Sequence, residues 1–142
     1  MAWPTSGELD DLVARFRART LPKHEWTHLA HLAVGTWHVH ERGPDDALEL
    51  LRHGITRLNE AHGTVNDDAG GYHETITRAF LAGVRLFLSE ADRKEPLHKL
   101  VNGLLLSPMG RRDWPLRFYS RERLFSVEAR RGFVAPDIAI LP

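Results

Sequence analysis

The fold is decided by the stretch EWTHLAHLAVGTWHVH, residues 25–40. Its apolar side chains recur at the i, i+3, i+4, i+7 spacing of an α-helix, at Trp26, Leu29, Ala30, Ala33, Val34 and Trp37. This pattern predicts a helix from about Lys23 to Glu41, which Gly43-Pro44 ends. Such a helix is stable mainly when its apolar face packs against other elements, so further helices are expected in the chain.

The same period recurs along the chain and predicts those partners. A first helix begins at the capping box Thr5-x-x-Glu8 and ends before Leu21-Pro22. The later helices are expected at about Pro44 to Ala61, Tyr72 to Ala91, Pro96 to Ser107 and Ser120 to Arg131. No segment alternates with the period of two that is typical of a strand. We therefore predict an all-α, single-domain bundle of five to six helices over residues 1–142, with an extended C-terminal tail, APDIAILP.

Composition narrows the class of protein. A chain of 142 residues has the usual size of one domain. The 19 Lys and Arg residues balance the 19 Asp and Glu residues, so no net field favours nucleic acid or an anionic membrane. The absence of Cys excludes disulfides and thiolate chemistry. There is no long apolar run and no signal-peptide pattern, so we expect a cytoplasmic protein that does not enter a membrane.

The nine histidines are the most informative residues. At about 100° per residue, His24, His28, His31 and His38 share one face of the predicted second helix. His28 and His31 lie one turn apart, close enough to bind one metal ion. His73 falls in the first turn of the predicted fourth helix, on its apolar side, where the helix N-terminus keeps an imidazole neutral. We therefore predict a divalent metal, zinc, iron, nickel or manganese, on His28, His31 and His73.

Each of these features also has a structural explanation. A core-facing histidine at a helix start commonly hydrogen-bonds a carbonyl, and a His-x-x-His pair often belongs to a solvated polar face. The seven Arg residues between Ser107 and Arg131 can clamp an anionic substrate, but they are more typical of a solvated surface with local ion pairs. The glycine-rich loop from Gly63 to Gly71 leads into His73, so we expect it at the mouth of any site.

Three segments resemble an uncharacterised family of bacterial all-helical proteins. They are EWTHLAHLAV (25–34), GYHETIT (71–77) and a C-terminal set that includes Tyr119-Ser120-Arg121, Leu124-Phe125-Ser126, Ala129-Arg130 and Pro136-Asp137. The resemblance implies a site that includes His28, His31, His73 and Glu74, with Thr77 and Arg130, and it names no reaction. It gives no support to His24 or His38. The chain is also similar in architecture to the DinB-like metal-binding bundles, although their close pair is His-x-x-x-His and late in the chain.

Two functions are therefore open. The first is a metal-dependent, hydrolase-like enzyme acting on a small polar substrate, in which Glu74 is a base or a further ligand and Tyr72, Thr77 and Arg130 bind the substrate. The second is a non-catalytic domain that binds a small ligand or a partner, with the same His, Glu and Thr residues in a buried hydrogen-bond network. A third, weaker hypothesis is an interaction module that uses the Arg-rich C-terminal segment. The first two place the polar cluster between the second and fourth helices.

Overall fold

Helix α2, His28–Arg42, lies at the centre of the molecule in the computed structural model, which describes residues 2–142. Around it pack α1 (Ser6–Ala18), α3 (Pro44–Ala61), α4 (Glu74–Glu90) and α5 (Leu97–Leu106). Residues 2–142 contain no β-strand, so the prediction of an all-α bundle is confirmed. No helix in this range combines the length and the apolar character needed to cross a membrane.

The central position of α2 corrects the prediction of a single apolar stripe. Ala30, Ala33 and Val34 are buried as predicted, but Leu29 is 42% exposed. The opposite side is also covered, because Leu32, Thr36, His38 and Val39 are all buried. A helix enclosed by four neighbours buries most of its circumference, and its sequence then no longer separates into one apolar and one polar face.

The second helix also begins later than predicted. Residues Lys23–Glu25 form a separate 3₁₀ turn, and the chain leaves it at Trp26. The Thr27 side chain accepts the N–H of Ala30 and caps α2, which starts at His28. His24 therefore does not belong to α2, and His38 lies in the core, where its Nδ1–H donates to the carbonyl of Val34 at 2.8 Å. The predicted face of four histidines is wrong at both ends.

The C-terminal segment folds back across α4. It contains 3₁₀ turns at Pro108–Gly110 and Trp114–Arg117 and two short helices, α6 (Arg121–Leu124) and α7 (Val127–Arg131). The single helix predicted from Ser120 to Arg131 is thus wrong, because Ser120 and Ser126 each cap a new helix. A second, smaller core of Ala79, Tyr119 and Leu124 joins this segment to α4. The tail beyond α7 carries no helix or strand, as predicted.

Candidate functional site

A cleft opens between the start of α2, the C-terminal half of α3 and the start of α4. It consists of an inner compartment of about 410 Å³ and an outer compartment of about 550 Å³. Both are bordered by the same five residues, Trp26, His31, Ile55, Ile76 and Thr77, so they adjoin at this point. Cavities of this size are typical of small-molecule sites.

The inner compartment is mainly apolar and its wall on α2 includes Gly35. Its other walls include Leu32, Leu51, Phe80, Leu81 and Val84. A Cβ atom added at Gly35 would find its nearest neighbour, Leu81 Cδ2, at 3.9 Å, so no packed atom requires a glycine there. A glycine inside a helix costs about 0.5–1 kcal/mol relative to alanine. The missing side chain therefore leaves space in the compartment at a cost in helix stability.

His28 and His31 border this compartment with one nitrogen each left free. His28 Nε2–H donates to the carbonyl of Gly110 at 2.8 Å, and His31 Nδ1–H donates to the carbonyl of Thr27 at 2.7 Å. A carbonyl only accepts hydrogen bonds, so each bond fixes the tautomer and leaves the other nitrogen as an acceptor. Neither remaining nitrogen, His28 Nδ1 or His31 Nε2, has a partner in residues 2–142, and neither is sealed from solvent.

The His31 ring is held by aromatic stacking and stays neutral at pH 7. It stacks on Trp26 with ring centroids 3.6 Å apart. The surrounding protein atoms lower the pKa of His31 to about 4, and the nearby His28 acts in the same direction. The side chain also keeps contact with solvent, which weakens this effect. An imidazole with an ordinary pKa of 6.5 is already mostly neutral at pH 7. His31 is therefore a hydrogen-bond acceptor at pH 7 whether its pKa is lowered fully or only in part.

His73 has a structural place at the start of α4. Its Nδ1 accepts the N–H of Ile76 at 3.1 Å and caps the helix, while its Nε2–H donates to the carbonyl of Leu124 at 2.9 Å. Burial lowers the pKa of His73 and so favours the neutral ring. Because both nitrogens are engaged, His73 has no lone pair free for a metal ion. Within residues 2–142 no group of three histidine or carboxylate side chains is placed to hold one, so the structure does not bring the predicted ligands together.

Glu74 is held in an ion pair that the sequence did not predict. Arg52 of α3 donates from Nε and Nη2 to the two carboxylate oxygens, at 2.9 and 2.6 Å, and the Tyr72 hydroxyl donates to Oε1 at 2.8 Å. Burial alone would raise the pKa of Glu74, but the hydrogen bonds from Arg52 and Tyr72 outweigh it and lower the pKa. A carboxylate whose ionised form is stabilised in this way is a poor general base.

The remaining predicted positions border the outer compartment. Tyr72, Thr77 and Arg130 all line it. The Thr77 hydroxyl donates to the carbonyl of His73 at 2.8 Å. Arg130 donates to the carbonyl of Gly71 at 3.0 Å, and this hydrogen bond connects α7 to the start of α4. Most polar groups of the GYHETIT motif therefore make structural hydrogen bonds. They do not form the single His/Glu/Thr network of the second hypothesis, because His28, His31 and Glu74 bond to Gly110, Thr27 and Arg52 and not to one another.

The loop from Gly63 to Gly71 reaches the cleft, as expected. Thr64 and Gly71 both border the outer compartment together with His31. Gly71 has a φ of 79°, and a Cβ atom there would lie 2.7 Å from the Asn66 Cα. This position therefore needs glycine both for its left-handed backbone and for the close approach of the loop.

The formal charges at the cleft are of one sign. Arg112 borders the inner compartment, and Lys23 and Arg130 border the outer one. No Asp or Glu side chain in residues 2–142 borders either compartment. The side chains of Lys23 and Arg112 make no hydrogen bond or ion pair within this range, whereas Arg15, Arg52, Arg57, Arg111 and Arg131 are all paired with carboxylates.

No protein-family model, no curated protein and no solved structure matches this chain, so the family resemblance of its motifs stays a prediction and the role of the cleft rests on its own residues.

Proposed function

We propose that this chain is a small-molecule-binding helical domain and that a mainly apolar molecule occupies the inner compartment of the cleft. The observation that carries the proposal is Gly35, a buried glycine in the central helix that no neighbouring atom requires. No packing contact compensates for the helix stability that this glycine costs. Residues that lower stability without a packing reason are expected at functional sites.

The compartment suits a ligand that combines an apolar body with a few polar atoms. Its walls are aliphatic and aromatic, and burial of apolar surface would supply most of the binding free energy. The free nitrogens of His28 and His31 would each accept a hydrogen bond from a hydroxyl or amide of the ligand. A few fixed polar groups in an apolar pocket orient a ligand and give specificity.

The contacts of Glu74 and His73 favour binding over the metal-dependent reaction. Both side chains are committed to other parts of the protein, so neither supports the role of base or ligand that the sequence suggested. The metal remains a prediction, which elemental analysis of the purified protein tests directly. A stoichiometric divalent metal, lost on replacement of His28 and His31 but not of His53, would revive the enzymatic hypothesis.

The experiment that tests the proposal fills the compartment from Gly35. Gly35→Met places a flexible side chain into the cavity, and Gly35→Ala is the matched control that changes the helix equally but leaves most of the space. Octanol serves as the neutral apolar probe, and NMR chemical shifts of backbone amides report where it binds.

We expect octanol to shift amides around Gly35, Phe80 and Leu81 in the wild-type protein and in Gly35→Ala, and to leave them unshifted in Gly35→Met. Circular dichroism should show that all three proteins keep the same helix content. The proposal is overturned if octanol perturbs none of these amides in the wild-type protein, or if it binds Gly35→Met as well as it binds Gly35→Ala.

A further inference from the structure

We infer that the ligand of the cleft carries an anionic group, in the simplest case a carboxylate, which Arg112 binds at the inner compartment. This inference rests on the proposed function and adds the charge of the ligand to it. Two observations support it: the sign of the charges at the cleft and the unpaired guanidinium of Arg112.

The sign of the charge at the cleft differs from that of the whole chain. Acidic and basic residues are equal in number, 19 each, yet all the formal charges at the cleft are positive. Across residues 2–142, carboxylates pair with six of the sixteen arginines, as Glu74 does with Arg52, and none of these six borders the cleft. A cleft whose only charged side chains are cations attracts anions and disfavours cationic ligands.

Arg112 has the donor groups that a carboxylate needs. Its neighbour Arg111 is occupied by Asp113, whereas Arg112 has no partner within residues 2–142. A guanidinium presents a planar fork of N–H donors that matches the two oxygens of a carboxylate. Because the residue borders the apolar compartment itself, an apolar molecule inside that compartment can place its charged end at Arg112.

Three probes with the same hydrocarbon chain and different head groups test the inference: octanoate, octanol and octylammonium. We expect octanoate to bind about tenfold more tightly than octanol at low salt, because a hydrogen-bonded charge contributes more than a neutral group. Octylammonium should bind more weakly than octanol.

Matched variants identify the cation responsible. Arg112→Gln should reduce the preference for octanoate over octanol to nearly one, while Arg93→Gln, an exposed and unpaired arginine between α4 and α5, should leave it unchanged. Raising the salt concentration should also reduce the preference in the wild-type protein.

Each outcome has a distinct meaning. If octanol and octanoate bind equally, or if the preference survives Arg112→Gln and is lost in Lys23→Gln, the assignment of the anion to Arg112 is wrong while the binding function stands. If none of the three probes perturbs the inner compartment, the proposed function fails and this inference fails with it.

Discussion

Neighbouring charges decide what the carboxylate of Glu74 can do. Taken from the sequence, Glu74 beside His73 suggests a base or a metal ligand. In the folded protein it is buried with 8% of its side chain exposed, and Arg52 and Tyr72 occupy its oxygens. Glu74 therefore joins α3 to the first turn of α4, and its contribution to the free energy of unfolding can be measured.

We predict that Glu74→Gln lowers the free energy of unfolding by about 1–3 kcal/mol, because it removes a buried, charge-assisted pair and leaves Arg52 without its main partner. Glu49→Gln is the matched control, since Glu49 contacts the same arginine but is 73% exposed. An exposed pair of this kind contributes at most about 1 kcal/mol. Urea denaturation measures the free energy of unfolding of both variants. Equal losses in Glu74→Gln and Glu49→Gln would contradict the structural role of Glu74.

Gly35 leads to a prediction of the opposite sign. Gly35→Ala should raise the free energy of unfolding by about 0.5–1 kcal/mol, because alanine is the better helix former and its Cβ meets no atom closer than 3.9 Å. Gly54→Ala in α3 is the contrasting variant, since a Cβ there would lie 2.6 Å from the Phe16 ring. That second change should destabilise the protein. Thermal denaturation distinguishes them, and a destabilised Gly35→Ala would show that the inner compartment is not open space.

Individual site residues were only partly predictable from the sequence. His28, His31, Tyr72 and Thr77 do border one cleft. Helical spacing places His28 and His31 one turn apart on α2, and the packing of α4 against α2 brings the other two residues opposite them. Arg52, Arg112 and Gly35 were missed. Nothing in the local sequence distinguishes Arg52 or Arg112 from the other arginines, since their roles depend on which residues the fold brings opposite them. Gly35 carried a signal, as a glycine in the middle of a strongly helical stretch.

At the scale of elements, the start of α4 is a junction of three parts of the chain. His73 caps the helix and reaches the carbonyl of Leu124, and the Thr75 hydroxyl donates to the carbonyl of Gly132 at 3.0 Å. Arg130 of α7 donates a hydrogen bond to the carbonyl of Gly71. The GYHETIT segment is thus the place where α4 holds the C-terminal segment.

Substitutions of His73 separate its two roles. His73→Asn keeps a side chain that caps helices well but is too short to reach Leu124, while His73→Ala removes both contacts. We expect His73→Ala to cost about 0.5–2 kcal/mol more than His73→Asn, which is the usual contribution of a cap. Chemical denaturation measures the contribution of the helix cap. Hydrogen exchange at the amides of Leu124 and Ala129 measures the loss of the contact with Leu124. If both variants lose a bound metal and keep full stability, the capping role assigned here is wrong.

Helix boundaries were predictable where a cap or a proline marks them. The predicted span of α3, Pro44 to Ala61, agrees with the structure, because Pro44 occupies the first turn and the apolar stripe is unbroken. The start of α2 was placed too early, since Lys23–Glu25 has helical composition but Thr27 caps a new helix after it. The break between α6 and α7 was also missed, although Ser126 has the residue type of a cap.

At the scale of the whole molecule, buried histidines make stability depend on pH. Burial lowers the pKa of both His38 and His73 from the ordinary 6.5. The unfolded chain therefore takes up protons below pH 6.5 that the folded chain excludes, so the free energy of unfolding is highest above pH 6.5 and falls as the pH decreases below it. The expected loss approaches about 1.4 kcal/mol per pH unit for each histidine.

Denaturation at several values from pH 7 down to about pH 5 measures this slope, in a range where exposed carboxylates remain ionised. His38→Gln should have a shallower slope than the wild-type protein, and His24→Gln, which replaces an exposed histidine, should not. A wild-type stability that is constant across the range would contradict the buried, neutral state of these two rings.

The return of residues 124–134 to the start of α4 also has a consequence for biosynthesis. Their partners lie 51 to 59 positions earlier in the chain, at His73, Thr75 and Gly71. While a ribosome is still translating the region before Leu124, α4 lacks these hydrogen bonds. The side of α4 that carries Ala79 and Ile76, which packs against Tyr119 in the folded protein, is then still exposed. The nascent chain therefore exposes apolar surface until this segment emerges, and a chaperone that recognises such surface would be expected to bind it in that interval.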